Sequence, residues 1–443
     1  MDALAIDPLD ALRAIDRVSA EFADLPPEVV VKEDLLRRGV WFTPAALQQG
    51  QAFARKAYFI FSFDHVPLAQ MDELVRTHAP EEIALAGGAR GFRRVVVSVR
   101  LNPASPWVVD AEADGSVVLR CGSEPVTGVS FAPLPPYYGD ELPDGTPITE
   151  VAPSIEWGYL LYLTVFRMCQ YFGRDEECQF CDINRNFKQQ REAGRPYFAI
   201  KPIERLLAAL DRVAASGAVA GAYTLTGGSV TTQLEGMDEA SFYIRYAEAI
   251  EDRFPGRWLG KMVVQALPRA DIARIRASGI RIYHPNYEVW DPALFAELCP
   301  GKERYVGRST WMARILDAAE VFTPAGVIPN FVAGIEMARP HGFRTEEEAW
   351  RSTAEGLEYF MSRGIAPRFT TWCPEPLSVL GKNNGPASLR YHAGLVRTWR
   401  DIHAAHGLPA PPGYGTPGIG NAVFSVSSFM DAIDPKTPVA TLA

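Results

Sequence analysis

The chain has no run of about 20 apolar residues, the length needed to cross a hydrocarbon core. Its first residues, MDALAIDPLDALRAIDR, carry acids where a secretory leader carries bases. A cytoplasmic protein with no membrane partner is expected. A basic excess is also lacking: 44 Lys and Arg face 53 Asp and Glu, a formal charge of -9. Such a surface offers no electrostatic footprint to nucleic acid or to an anionic bilayer, so the expected partner is a small-molecule substrate. Histidine is scarce, with seven in 443 residues, which counts against a complete-barrel lyase or hydrolase that gathers histidine and carboxylate metal ligands at several strand ends. Cysteine is scarce as well, yet three of the six crowd into one stretch. That distribution argues against a disulfide framework and for a metal site in a reducing compartment.

The stretch is MCQYFGRDEECQFCDIN, with Cys169, Cys178 and Cys181. A structural zinc site is closed by four protein ligands. Here one Cys-x2-Cys knuckle is joined by one further thiol, and the nearest histidines along the chain are His78 and His284. Three thiolates suit an iron–sulfur cube that leaves one iron open to a cofactor or substrate. Before them, Gly158 to Phe166 (GYLLYLTVF) has the content of a buried strand. The cysteines therefore fall in the loop after a strand, where barrels of alternating strands and helices collect their chemistry. A zinc knuckle completed by a distant residue, or thiols that are merely buried, are the other readings of the same residues.

From Gly158 strands and helices alternate. Strands are predicted at Gly158 to Phe166, Ala222 to Thr226, Lys261 to Gln265, Arg281 to Asn286, Val327 to Val332 and Pro367 to Trp372. The helices between and after them fall near Ile203 to Ala215, Asp238 to Asp252, Ala270 to Ala277, Thr310 to Val321, Thr345 to Met361 and Ser388 to Ala405. Six β/α units predict an α/β fold with a parallel sheet and right-handed crossovers. Residues 1–150 read as an N-terminal α+β accessory domain, from helical patterning and then β-branched runs split by turns. The proline-rich stretch 133–147 reads as a linker, 151–406 as the barrel and 407–443 as a Gly/Pro-rich tail wrapping it.

At the cysteine loop the chain resembles the radical S-adenosylmethionine (SAM) enzymes, whose loop ends in Cys-x2-Cys with an aromatic before the last cysteine, here Phe180. Their usual spacing is Cys-x3-Cys-x2-Cys, and this chain has eight residues in the first gap. The resemblance covers about residues 155 to 375 and is closest in pattern to the biotin synthase-like branch. It implies a partial (β/α)6 TIM-like barrel and a [4Fe-4S] cluster on Cys169, Cys178 and Cys181, with SAM chelating the open iron. It also implies an electron donor such as flavodoxin or ferredoxin. Reductive cleavage of SAM would then give a radical that takes hydrogen from a small-molecule substrate.

The same resemblance assigns further residues. Thr226-Gly227-Gly228 matches the glycine motif that binds the amino group of SAM. Asn286 and Glu288, two apart and so on one side of an extended chain, match a pair that hydrogen-bonds the ribose. Arg314, with Arg308 second, matches the arginine whose fork takes the SAM carboxylate. Phe331 and Val332 stand where backbone atoms hold the adenine.

Biotin synthase itself is disfavoured, because its second cluster uses a cysteine on the fifth strand and Val327-Ile328-Pro329 offers none. Cys121, Cys299 and Cys373 are scattered. At the end of the sixth strand Cys373 and Glu375 are candidates to face substrate, with Trp372 beside them and Glu375 placed to bind a cation or move a proton. A buried thiol is the other account of Cys373, and His284, between apolar residues, reads as structural. No Asp-x-His-x-x-Gly cobalamin signature is present. The alternative function is a zinc-stabilised, non-catalytic barrel that uses the N-terminal domain for interactions.

Overall fold

The computed structural model describes residues 7–49, 52–418 and 422–442. The first six residues of the N-terminal stretch, and 419–421 and 443 of the tail, lie outside them. The barrel elements are β1 (Leu160–Phe166), α1 (Ile203–Ala215), β2 (Ala222–Gly227), α2 (Glu239–Arg253), β3 (Leu259–Val264), α3 (Arg269–Ala277) and β4 (Ile282–Pro285). They continue with α4 (Arg308–Phe322), β5 (Asn330–Ala333), α5 (Glu346–Met361), β6 (Arg368–Thr371) and α6 (Leu389–Ala405). Strands β1 to β4 pair in parallel in chain order, and β5 pairs in parallel with β6. Single parallel bridges, Tyr283 to Val327 and Glu288 to Phe331, join the two sheets. The result is an open (β/α)6 partial barrel.

The fifth strand begins at Asn330, later than its β-branched start at Val327 predicts. Pro329 has no N–H to give a ladder, so Val327 makes only the single bridge. The helices are fixed by local capping as well as by packing. Asp238 caps α2, Ser388 caps α6, and Thr345 with Glu348 forms a capping box on α5.

Successive strand side chains point to opposite faces. Leu161, Leu163, Tyr223, Leu225, Met262 and Phe369 turn outward into a core shared with the helices. Tyr162, Thr224, Thr226, Lys261, Asn330, Arg368 and Thr370 turn inward and line a cavity. The interior is therefore polar on the very strands whose outward face is apolar.

The N-terminal region carries a six-stranded, mostly antiparallel sheet, with helices Pro8–Glu21 and Pro27–Arg38 against it. Helix Pro27–Arg38 is buried almost all round, between that sheet and α6. Its central charges are paired. Lys32 Nζ donates to Asp431 (2.7 Å) and to the Phe424 carbonyl (2.8 Å). Glu33 accepts from the Thr371 hydroxyl (2.8 Å) and the Ser428 N–H (2.9 Å), and Asp34 accepts from Arg37 and from the Trp107 indole, both at 2.7 Å.

Residues 133–147 do more than connect. Tyr137 and Leu142, with Ile148 and Val151 just beyond, are buried in the barrel's own core. Among its described residues the tail is irregular apart from Phe429–Ala432. The Val426 carbonyl accepts from the Thr371 N–H (3.0 Å) and the Ser425 carbonyl from the Ser98 N–H (3.0 Å), so the tail is stitched both to β6 and to the N-terminal sheet.

Glu82 is 2% exposed. Its carboxylate accepts from the N–H groups of Glu156 (2.8 Å) and Trp157 (2.7 Å), whose φ values of 53° and 57° are left-handed. Glu82→Ala orphans both donors. At about 1–3 kcal/mol for each unsatisfied group, a loss of about 2–6 kcal/mol is expected, read as a lower urea midpoint with an unchanged slope.

Candidate functional site

The cysteine loop leaves the end of β1 and is held from both flanks. The Gln170 N–H donates to the Ser229 carbonyl (3.0 Å), and its side-chain oxygen accepts from the Thr231 N–H (2.8 Å). Asn184 exchanges two hydrogen bonds with the Cys169 backbone, at 2.7 and 3.2 Å. The residues of the long first gap turn through Gly173 and Asp175, both at positive φ, and dock on helix Pro300–Tyr305. There the Gly301 N–H donates to the Glu176 carbonyl (2.9 Å), the Tyr305 hydroxyl donates to the Glu176 carboxylate (2.9 Å), and Arg304 pairs with the same carboxylate. The lengthened gap is an ordered excursion to a neighbouring helix.

Gly227 and Gly228 are required by contact. A Cβ on Gly228 would lie 1.9 Å from the Met168 carbonyl oxygen and 2.5 Å from the Cys169 Cα, and one on Gly227 would lie 2.3 Å from the Phe166 carbonyl oxygen. Only glycine lets the end of β2 press against the loop that bears the first cysteine.

Above the strands lies one end of a cavity of about 220 Å³. Cys169, Cys178, Cys181 and Phe180 rim it, together with Thr226, Gly227, Gly228, Asn286, Glu288 and Val332. Trp372, Cys373 and Glu375 reach it from beyond β6. Asn286 Oδ1 is buried with no hydrogen-bond partner among the described residues. Glu288, at φ 75°, is paired with Lys302 Nζ at 2.5 Å, and that amine also donates to the Asn286 carbonyl (3.0 Å).

Burial pushes the Cys169 thiol up to about 12 and raises Cys181 as well. Cys178 is held below the ordinary thiol value by a hydrogen bond from Cys299, with Lys302 adding to the effect. Cys299, distant in sequence from the other three, is thus brought beside Cys178, fully buried. Among the described residues no three His, Cys, Asp or Glu side chains stand at metal-binding spacing. The three sulfurs of the loop nevertheless face one cavity, and no histidine lines it, which is a soft donor set of the kind iron–sulfur clusters use.

Several sequence expectations are placed elsewhere. Arg314 donates to the Ala266 carbonyl (2.9 Å) on the helical side of the barrel. Arg308 donates to the Trp290 carbonyl and lies 4.8 Å from the Trp290 ring. Neither lines the cavity; Lys302 is the cation beside Asn286 and Glu288. The Phe331 side chain faces outward, against Tyr287, Phe360 and Phe369, because it alternates with Asn330 and Val332.

Glu375 is not free to work on a ligand cation. Its carboxylate accepts from the Phe63 N–H (2.7 Å) and the Ser62 hydroxyl (3.3 Å), and Asp182 accepts from the same hydroxyl at 2.7 Å. Burial, reinforced by Asp182, pushes Glu375 well above the usual carboxyl range. This pair clamps segment 57–64 of the N-terminal region over the barrel. Cys373 is 2% exposed and burial raises its thiol strongly. His284 is fully buried with Nδ1 on the Ile328 carbonyl (2.8 Å).

The clamped segment brings Phe59, Ile60, Phe61 and Phe63 to the cavity wall, and Phe59 packs on Tyr162 with ring centroids 4.4 Å apart. None of these four is among the site residues read from the sequence, nor are Lys302, Glu156, Lys261 or Arg368. The run of alternating aromatics at 59, 61 and 63, and the isolated cations within otherwise apolar strands, were the available signals.

No family model matches the chain, and no curated protein matches it. Among solved structures it is similar to methylornithine synthase (PylB), with TM-score 0.38 and 14% identity over 61% of this chain and 76% of that one. It is also similar to HydG, a maturase of the [FeFe]-hydrogenase, with TM-score 0.41 and 12% identity over 58% of this chain and 52% of that one. Coproporphyrinogen III oxidase (HemN) from Escherichia coli, described as a radical SAM enzyme, gives TM-score 0.34 and 11% identity over 58% and 54%. The chain thus spans about half the length of the last two. At these values the likenesses carry no argument about chemistry.

Gly228→Ala must drive the cysteine loop off β2. The expected outcome is a loss of about 1–3 kcal/mol from overpacking, together with faster labelling of Cys169 by a thiol reagent in the metal-free protein.

Proposed function

We propose that the chain is a radical SAM enzyme acting on a small-molecule substrate and fed by an electron donor such as flavodoxin or ferredoxin. The observation that carries this reading is that Cys169, Cys178 and Cys181 rim the same cavity as Gly227, Gly228, Asn286 and Glu288. These positions matched the family's cluster and SAM motifs from separate strands. The three cysteines would hold a [4Fe-4S] cluster, which when bound with SAM supplies reductive C–S cleavage and hydrogen abstraction.

The chain's own residues bind, orient and keep the site dry. The backbone around Thr226 to Gly228 offers polar groups to an amine at close range. Asn286 Oδ1, buried and unpartnered, is set to accept a ligand hydroxyl. Lys302 supplies positive charge for a carboxylate in place of Arg314, while Glu288 fixes its position. Phe59, Phe61 and Phe63 exclude water, which strengthens every polar contact inside.

A second reading has one observation of its own. Cys299 lies against Cys178, so four sulfurs could close around zinc in a non-catalytic barrel. Protein purified without oxygen separates the two. The radical reading expects about four irons and matching sulfide per chain, and 5′-deoxyadenosine on addition of dithionite and SAM. Cys178→Ala should abolish both, and Cys299→Ala should keep the iron. One zinc per chain, lost in Cys299→Ala, overturns it in favour of the closed site. Lys302→Met is expected to weaken SAM binding about tenfold, the size of a lost charge-assisted hydrogen bond, measured by equilibrium dialysis on the iron-loaded protein.

A further inference from the structure

The residues just described occupy the C-terminal end of the strands. At the opposite end the cavity contains a charged group they leave unused. Lys261 in β3 and Glu156, just before β1, are 1% and 3% exposed, and Arg368 opens β6. All three line the cavity.

Lys261 Nζ donates to the Gly413 carbonyl (2.7 Å) and lies 4.4 Å from the centre of the Tyr414 ring. Arg368 donates one N–H to the Tyr414 hydroxyl (3.1 Å). Among the described residues neither cation is in ion-pair contact with Glu156, and both Arg368 Nε and Glu156 Oε2 are buried without a hydrogen-bond partner. The neighbouring carboxylate, Glu82, is occupied by the Glu156 and Trp157 N–H groups and is not part of the cavity wall.

One buried cation, Lys261, and one half-buried cation, Arg368, thus face one carboxylate. The cations outnumber the carboxylate, and burial raises the Glu156 carboxyl, favouring its neutral form, while it also lowers the Lys261 ammonium. A buried charge without a counter-charge is costly, and what would balance this end of the cavity is an anion. Beside the charges the wall is aromatic: Phe59, Tyr162 and Phe424, with the Arg368 guanidinium 5.5 Å from the centre of the Phe424 ring.

We propose that this end of the barrel is a carboxylate-binding subsite for a small acid, whose carboxylate meets Lys261 and Arg368 and whose apolar body runs along Phe59, Tyr162 and Phe424 toward the thiol rim. Calling that acid the substrate rests on the radical reading; its binding does not. The acid's body then lies between the charged floor and the cofactor residues, where a reacting carbon belongs.

Three probes of nearly equal size test the charge preference by calorimetry on the full chain without SAM: 3-phenylpropanoate, 3-phenylpropanamide and 3-phenylpropylamine. The acid is expected to bind at least tenfold tighter than the amide, with the amine weakest. Lys261→Met and Arg368→Met are each expected to cut acid affinity about tenfold while amide affinity stays. Equal binding of acid and amide, preference for the amine, or no acid binding at millimolar concentration overturns the subsite. If either variant fails to fold, the acid-to-amide ratio of the unsubstituted protein decides alone. Acid preference in a protein that holds no iron keeps the subsite and removes the radical reading; iron and SAM cleavage without acid preference does the reverse.

Discussion

Six strands do not close a barrel. The edges at β1 and β6 must find partners elsewhere, because backbone N–H and C=O groups removed from water have to be paired. Most of what is unusual in this molecule follows from how that seam is covered. On the β1 side lie the short strand Ser154–Ile155 and the aromatic segment 57–64; on the β6 side lies the tail, whose Val426 carbonyl takes the Thr371 N–H. The N-terminal region is therefore part of the cavity wall, and helix Pro27–Arg38 holds wall and tail together through Lys32 and Glu33.

The covering also gives the interior two chemically different ends. At the C-terminal end of the strands are sulfur, glycine backbone and one lysine already committed to Glu288. At the N-terminal end are two cations, one carboxylate and the Tyr414 hydroxyl that steadies Arg368. Aromatic rings separate the two. A polar ligand bound at either end would be read by a different set of groups, and an apolar centre would lie between them.

The barrel was legible because the strands carry an outward apolar face and the helices a periodic apolar pattern, three of them with side-chain caps: Glu239–Arg253, Glu346–Met361 and Leu389–Ala405. Where the sequence failed to place residues, the cause was usually the second face of the same strands. Lys261 and Arg368 look like interruptions of a hydrophobic run and are in fact its inward register. Arg314 was chosen by motif spacing, but its helix turns it toward the Ala266 carbonyl. Glu375 lines the cavity, yet its hydrogen bonds go to Ser62 and Phe63, some three hundred residues upstream, a pairing that no local pattern encodes. Cys299 was set aside as isolated for the same reason: only the fold brings it to Cys178.

Lys32 and Asp431 are 399 positions apart, and their contact fastens the tail that walls one side of the cavity. Loop-closure entropy must be met before so distant a contact forms, and during synthesis residue 431 leaves the ribosome long after the thiol loop has done so. Until then the cavity is open along one side, and the enclosed chamber exists only once the segment around Phe424 to Asp431 has been drawn against helix Pro27–Arg38.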